Sequence, residues 1–551
     1  MSEAIVKRFR FFALLLAAWA FLYLPNLRTN PNWYGDEGEW MDMSWSYIHG
    51  HPVAGPITND FVFPYPYPPL YLLLNGALLR VFGYDLVVPR ALDAVTALAA
   101  AAILFWIGTR LRNKVFGLLC AAVFLVYPQT VMNFRWVRSH PMAGTLVLVA
   151  VGFLVRYLQE KRLRDIALAG LFCSLATATN YYAVGLIPSV ILVAVWVNWR
   201  RWRESMAWRD VLVGTVAAGW YGMLFVAWYV TTHGGVGHLV EQVHRLSGVT
   251  PPPSIAEFWQ RIGKFCFNAP TRLGSRGFEG HDLWLLAAAV GLIAFPVPRW
   301  RGWLVLWVFL LMQPIFWKQD NVFWFFYPAT IFLPILALGV AGAAEQVGRL
   351  LAWAIGKKES VAVLILPGVI ACLIWGGVSL QGSLGHFDTM IDRFTQYSAT
   401  EAEAAMAYVN AHTTADDFVI VPKQIYWLVK HSRKSMLTFC ARYEGVVNDM
   451  PTPVLETRDS YWFDCRLQNA KYVVLASGID RSTREPRGID LTYCRGLQGV
   501  TEIVNAMVNE KWPVVYSGGH DVVYVTVGNG LRWPAAVNGE CLVLANPRFV
   551  K

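Results

Sequence analysis

The sequence predicts a polytopic α-helical membrane protein that ends in a soluble α/β domain. Three observations predict it. Of 551 residues, 56% are hydrophobic and only 15% are charged, where soluble proteins carry about a quarter charged residues; the mean hydropathy is +0.39. Apolar runs recur through the first 380 residues, with basic clusters between them. Beyond residue 380 the runs give way to short alternating segments and amphipathic ones. The net charge of +10 therefore reads as membrane topology, and nucleic acid is not expected as a partner.

A spanning helix needs roughly 20 apolar residues. Candidates lie at 9–27, 86–109, 115–133, 141–158, 165–179, 181–198, 210–231, 282–298, 302–317, 322–343 and 360–380, about eleven transmembrane helices in all. The basic stretch Met1–Arg10 runs into Phe11–Pro25 without a small-residue cleavage site, so the first run reads as a retained signal-anchor. A further run, "PLYLLLNGALLRVFG" (69–83), is short and contains Asn75 and Arg80.

Charge settles its placement. If 69–83 does not span, the loops "RLRNK", "RYLQEKRLRD", "WRRWRESMAWR" and "RWR" and the segment around Arg349, Lys357 and Lys358 all fall on the side of Lys7, Arg8 and Arg10. If it spans, all of them move to the opposite side. The run is therefore expected to be an interfacial helix. The N-terminus is expected in the cytoplasm of a multi-pass protein, in a bacterial inner (plasma) membrane. Residues 1–380 form the membrane domain, with outer loops 26–85 and 232–281, and 381–551 form an extracytoplasmic domain.

Within that tail, "ATEAEAAMAYVNAHTTADDFVIVP" reads as an amphipathic helix, a turn and a strand. "NAKYVVLAS" reads as a strand, "VTEIVNAMVNEK" as a helix, and "WPVVYSGGHDVVYVTVG" as a hairpin through Gly518 and Gly519. The tail holds Cys440, Cys465, Cys494 and Cys541, which an oxidising compartment permits to form up to two disulfides or to remain as buried thiols.

The first outer loop opens with "NPNWYGDEGEW", Asn30 to Trp40. Carboxylates at a membrane edge are costly when desolvated and are often functional. Asp36 and Glu37 also suit a helix N-terminus, where acids meet the positive end of the dipole. In an extended loop, neighbouring side chains point opposite ways, so the two would not share one role. Glu39 and Asp42 fall on the following helix and read as solvated.

The acidic pair, an interfacial helix, "YPYPPLYLLL" (Tyr65 to Leu74) and "VPRALDAVTAL" (Val88 to Leu98) follow in that order. This layout resembles the GT-C membrane glycosyltransferases, in the branch of the protein O-mannosyltransferases and lipid A aminoarabinose transferase. The resemblance is strongest over about residues 1–160. It implies a GT-C-like fold and transfer of a hexosyl or pentosyl unit from a polyprenyl-phosphate-linked donor to a lipid, glycan or protein acceptor. It also implies inversion, which needs one base for the acceptor hydroxyl and no acid for a departing phosphate, unlike the paired acids of most glycosidases. Asp36 is then the base, and Glu37 orients it or binds acceptor or metal.

A departing phosphate needs positive charge. "NFRWVRSHPM" supplies Arg135, Arg138 and His140, "WKQDNVF" supplies Lys318, and Arg90 lies at the outer start of its span. Snorkelling to the headgroups is the structural alternative for each. The resemblance favours Arg138, since related enzymes keep an Arg followed by polar residues in this turn. Where many relatives place Arg-Tyr before a proline-containing span, this chain has "KQDNVFWFFYPATIFLPIL" and no Arg. Lys318 stands in, without the two-pronged fork of a guanidinium. His140, Tyr67, Trp33 and Trp40 are candidate substrate contacts, the tryptophans serving equally well in an interfacial belt.

A monophosphate donor can be handled by Arg and Lys, so no cofactor or metal is required. His238 and His244 are six apart, not the one-turn pair of a helical zinc site; with Glu241 they remain a candidate divalent-metal site. Two other functions fit a polytopic chain. A secondary transporter or flippase would place charges near the midplane and show repeated halves, whereas here Asp93 is the main charge within a span. A non-catalytic envelope-assembly subunit would keep the fold without needing Asp36.

Overall fold

The computed structural model of the chain describes residues 3–33, 35–49, 68–199, 205–232, 254, 256–257, 328–356, 361–385, 387, 399–444, 463–479, 481–482, 486–487, 498–527 and 531–549. The expected spans 282–298 and 302–317, Tyr67, Lys318 and the histidines of the second outer loop lie outside them.

The helices are α1 (Glu3–Tyr23), α2 (Gly35–His49), α3 (Pro69–Phe82), α4 (Val87–Leu111), α5 (Lys114–Val126), α6 (Pro128–Asn133), α7 (Ser139–Glu160), α8 (Leu163–Thr177), α9 (Leu186–Asn198), α10 (Ser205–Thr232), α11 (Pro328–Ala354) and α12 (Val361–Leu384). Five stretches among the described residues are long and apolar enough to cross a membrane: Val87–Leu111, Ser139–Glu160, Trp208–Ala227, Leu333–Ala354 and Val361–Leu384. Shorter apolar helices occur at Phe12–Tyr23, Pro69–Phe82, Lys114–Val126 and Tyr182–Asn198. The expected span 115–133 is broken at Tyr127, where Pro128 caps a new helix with its fixed φ. Along α12, Leu366, Ile370, Leu373 and Ile374 are exposed, the signature of a lipid-facing surface. The chain is an integral membrane protein.

Cα packing separates two compact units: 1–31, 67–71 and 90–387 in the first, and 32–66, 72–89 and 388–551 in the second. The acidic helix thus groups with the tail, a division that differs from the single boundary expected near residue 380.

In the first unit, small residues let helices approach closely. A Cβ at Gly170 of α8 would meet Ala217 and the Gly214 carbonyl of α10, and one at Gly144 of α7 would meet the backbone of Ile331 in α11. One end of this bundle is ionic. Arg110 pairs with Glu160 at 2.6 Å, Arg112 with Glu345 at 2.7 Å, Arg156 with Asp165 at 3.3 Å, and Arg162 with Glu160 at 3.0 Å. Tyr157 donates to Asp210 at 2.9 Å and accepts from Asn198 at 2.8 Å. Among the described residues, the basic stretches around Arg110–Arg112 and Arg156–Arg162 therefore meet at one end of the bundle.

The tail contains α13 (Ala399–Ala411), α14 (Leu437–Tyr443) and α15 (Gln498–Asn509). Its five-stranded sheet has the order β2 (Arg433–Ser435), β1 (Phe418–Ile420), β3 (Tyr472–Leu475), β9 (Leu542–Ala545), β6 (Val514–Tyr516). A four-stranded sheet has the order β5 (Pro486–Arg487), β4 (Gly478–Ile479), β8 (Leu531–Val537), β7 (Val522–Val527). Val473, Leu475, Ile503, Met507, Trp512, Leu542 and Leu544 build the core.

The expected hairpin through Gly518 and Gly519 does not form. Both glycines take positive φ, +65° and +84°, but the turn joins strands of different sheets. β6 is only three residues long and pairs with β9, while β7 pairs six residues with β8; the longer ladder wins. Cys440, Cys465 and Cys541 are buried thiols, and Cys494 lies outside the described residues.

Candidate functional site

The candidate residues fall into a cluster in each unit. In the second unit, Asp36 and Glu37 are not in an extended loop. They lie in the first turn of α2. There the helix dipole favours carboxylates. Glu37 is buried, at 1% exposure.

The helix is clamped on two faces. On one, Asn75 of α3 donates to the Ser44 hydroxyl at 3.0 Å, and a Cβ at Gly76 would collide with the Ser44 carbonyl. Only glycine admits so close an approach. On the other, Asp42 is fully buried, not solvated as its place on a surface helix suggests. Its Oδ1 accepts from Lys434 Nζ of β2 at 2.9 Å and from the Tyr84 hydroxyl. Lys434 Nζ also donates to the Tyr426 carbonyl at 3.1 Å and lies 4.4 Å from the centre of the Tyr426 ring.

Burial pushes the Asp42 carboxyl up and the Lys434 ammonium down, and their mutual attraction opposes both shifts. Burial, with Asp42 beside them, raises the phenols of Tyr84 and Tyr426 well above the ordinary range, so both remain neutral donors. Trp33 and Trp40 are buried, Trp33 edge-on to Trp427 with centroids 5.2 Å apart.

In the first unit, Arg90, Arg135, Arg138 and Asp93 are each fully buried at the end opposite the ionic one. Arg90 donates to the carbonyls of Leu27 at 2.9 Å and Pro31 at 3.0 Å. Arg135 donates to those of Leu22 at 3.2 Å, Asn30 at 2.8 Å, and Pro25. Two of the expected phosphate ligands thus hold the non-helical segment that leads from α1 towards the acidic helix. Burial, reinforced by the charge of Arg90, lowers the Arg135 pKa to about 9.

Arg138 sits differently. Its backbone N–H donates to Asp93 Oδ2 at 3.1 Å, and the same oxygen accepts from the Tyr71 hydroxyl at 3.0 Å. Its guanidinium lies 4.4 Å from the Trp136 ring centre, a cation–π geometry. Ser139 accepts from Asn180 at 2.8 Å, and His140, 4% exposed, lies 5.7 Å from the Tyr182 ring. Asp93, Tyr71 and Asn180 thus order the Arg138–His140 turn. Asp93 was legible as a charge within a span. Lys434, Tyr84 and Tyr426 carry no motif, and nothing in their sequence neighbourhood marks them. Among the described residues no group of three His, Cys, Asp or Glu is arranged to hold a metal.

Residues 67–220 match the family of dolichyl-phosphate-mannose-protein mannosyltransferases. No curated protein matches the sequence. Solved structures match the fold of nearly the whole chain. ArnT from Cupriavidus metallidurans bound to undecaprenyl phosphate superposes with a TM-score of 0.54 at 13% identity, over 99% of this chain and 98% of that one. The same protein in the apo state gives a TM-score of 0.53 at 14% identity, over 99% and 98%. The Archaeoglobus fulgidus oligosaccharyltransferase in complex with zinc and sulfate gives 0.53 at 12% identity, over 95% of this chain and 73% of that one. The family match, the shared fold and the motif order of the first loop agree: the chain resembles the GT-C superfamily of membrane glycosyltransferases, in the branch of the protein O-mannosyltransferases and lipid A aminoarabinose transferase.

Proposed function

We propose that the protein is an inverting glycosyltransferase that moves a sugar from a polyprenyl-phosphate donor to an acceptor hydroxyl at the outer face of the membrane. The observation that carries this reading is the adjacent carboxylate pair on the first turn of a helix clamped on two faces, in a chain whose residues 67–220 match a lipid-phosphate-dependent mannosyltransferase family.

Asp36 takes the proton of the acceptor hydroxyl as its oxygen bonds to the anomeric carbon. The bond from that carbon to the phosphate oxygen breaks, and the polyprenyl phosphate leaves as an anion that needs no proton. Glu37, buried beside Asp36 in the chain, supports the base. Arg138 is the cation we assign to the leaving phosphate, because it is followed by Ser139 and His140 as in the enzymes the chain resembles. Lys318 is a second cation for the same anion. A monophosphate of this kind needs no metal for charge neutralisation. The sugar and the acceptor are left to experiment.

The test is turnover of a panel of labelled polyprenyl-phosphate sugars by purified protein, wild type against Asp36→Asn. Removal of a general base is expected to lower turnover by about 10²–10⁴-fold. Undiminished turnover in the variant would sink the assignment of the base. Transport of a lipid-linked substrate without transfer would replace this reading by the transporter one.

A further inference from the structure

We infer that Lys434 of the tail is a positioning residue: acting through Asp42, it sets the orientation of the helix that carries Asp36 and Glu37. The inference rests on the reading of Asp36 as the base. Both partners belong to one compact unit, and both side chains are completely buried at 2.9 Å separation.

The geometry around the helix explains what the pair controls. Asp42 and Ser44 are two positions apart, about 200° around an α-helix, so their side chains leave from nearly opposite faces. Ser44 is held by Asn75 and by the close approach of Gly76; Asp42 is held by Lys434 and Tyr84. Each clamp limits the rotation of the helix from one side. The two together fix its rotation. Asp42 lies six residues beyond Asp36, about 9 Å along the axis, so Lys434 acts on the acidic turn at a distance through a rigid element and not by contact.

The chemistry of the pair argues for placement over stability. Two charges taken out of water cost several kcal/mol each, and a buried pair is often replaceable by apolar residues without loss of stability. Here the satisfaction is incomplete, for Asp42 Oδ2 is buried without a hydrogen-bond partner. A buried pair with an unbonded oxygen is a poor means of holding a fold together. It is an effective means of specifying one orientation, since the ammonium is held in place by the Tyr426 carbonyl and flanked by the Tyr426 and Tyr84 rings.

The test compares full-length wild type, Lys434→Met and the double variant Asp42→Leu with Lys434→Met, each as purified folded protein. Lys434→Met leaves an uncompensated buried carboxylate and is expected to lower both the thermal midpoint and kcat. The double variant is the discriminating one. Its thermal midpoint is expected to return close to the wild-type value, while kcat stays about 10²-fold down, the loss that follows a misplacement of about 1 Å, with KM for the lipid donor unchanged. Deuterium exchange across residues 35–49 is expected to be faster in the double variant than in wild type. Recovery of kcat together with stability would overturn the inference, and so would unchanged exchange across 35–49. If wild type turns over no donor, the enzymatic reading fails, and the exchange comparison still decides whether Lys434 orders the helix.

Discussion

The two ends of the membrane bundle use the same residue type for different work. At the ionic end, Arg110, Arg112, Arg156 and Arg162 reach carboxylates from side chains that are 19–53% exposed. At the other end, Arg90 and Arg135 are fully buried and bond backbone carbonyls between Leu22 and Pro31. That segment is not helical after Tyr23; the Asn26 carbonyl is met locally by the Asn30 N–H at 2.8 Å, while those of Pro25, Leu27, Asn30 and Pro31 are met by arginine side chains. A planar guanidinium presents five donors in fixed directions and can serve several carbonyls at once. An excess of arginine near a proposed phosphate site is therefore not all phosphate chemistry. Part of it builds the path of the chain, while the backbone of Arg138 is ordered through Asp93.

The largest expected effect breaks the buried end. Arg135→Met leaves the carbonyls of Pro25 and Asn30 without that donor, while Leu22 keeps its bond from the Ser383 hydroxyl at 2.6 Å, and each unmet buried group costs about 1–3 kcal/mol. The thermal midpoint in detergent and the turnover should both fall steeply. Arg135→Lys should rescue little, because a single ammonium cannot span three acceptors held in place by a fork. A lysine variant with wild-type stability would show that charge alone, and not geometry, holds the segment. A smaller effect is expected at the ionic end from Arg112→Gln. Glu345 keeps its bond to Arg349 at 3.2 Å, so the loss should be about 1 kcal/mol, read as a modest shift of the same midpoint.

How much of this was legible in the sequence follows from which forces are local. Hydropathy placed α4, α7, α8, α10 and α12 close to their observed bounds, because burial in lipid is a property of each segment alone; it did not show the break between α5 and α6 or the extension of α11 to Ala354. The helix at 399–411 and the strands at 418–420 and 472–475 were likewise visible from periodicity. The pairing of β6 and β7 was not: turn chemistry at Gly518 and Gly519 suggested a hairpin, and non-local ladders decided otherwise. The acidic turn was found by motif, but its neighbours were misread. Asp42 looked solvated because helical position says nothing of a partner 392 residues away. The charge of Arg90 and Arg135 was visible in the sequence, and the backbone carbonyls they meet were not.

The smallest expected effect is the one that tests whether the ionic end is held by geometry or by charge. Arg162 bonds Glu160 at 3.0 Å from a side chain that is 53% exposed. Such a pair gains little over water and gives up side-chain entropy, so Arg162→Gln should change stability by less than about 1 kcal/mol. Its contribution should also fade with salt, since charges in contact with solvent are screened over about 8 Å at physiological ionic strength. Thermal midpoints of wild type and Arg162→Gln should therefore converge as salt is raised, whereas the gap between wild type and Arg135→Met should persist, because the bonds of Arg135 are buried. Convergence of both gaps would mean that the two ends are not physically different. Persistence of the Arg162 gap at high salt would mean that the ionic end, too, is held by directional bonds, and that exposure alone is a poor guide to what an arginine does in this fold.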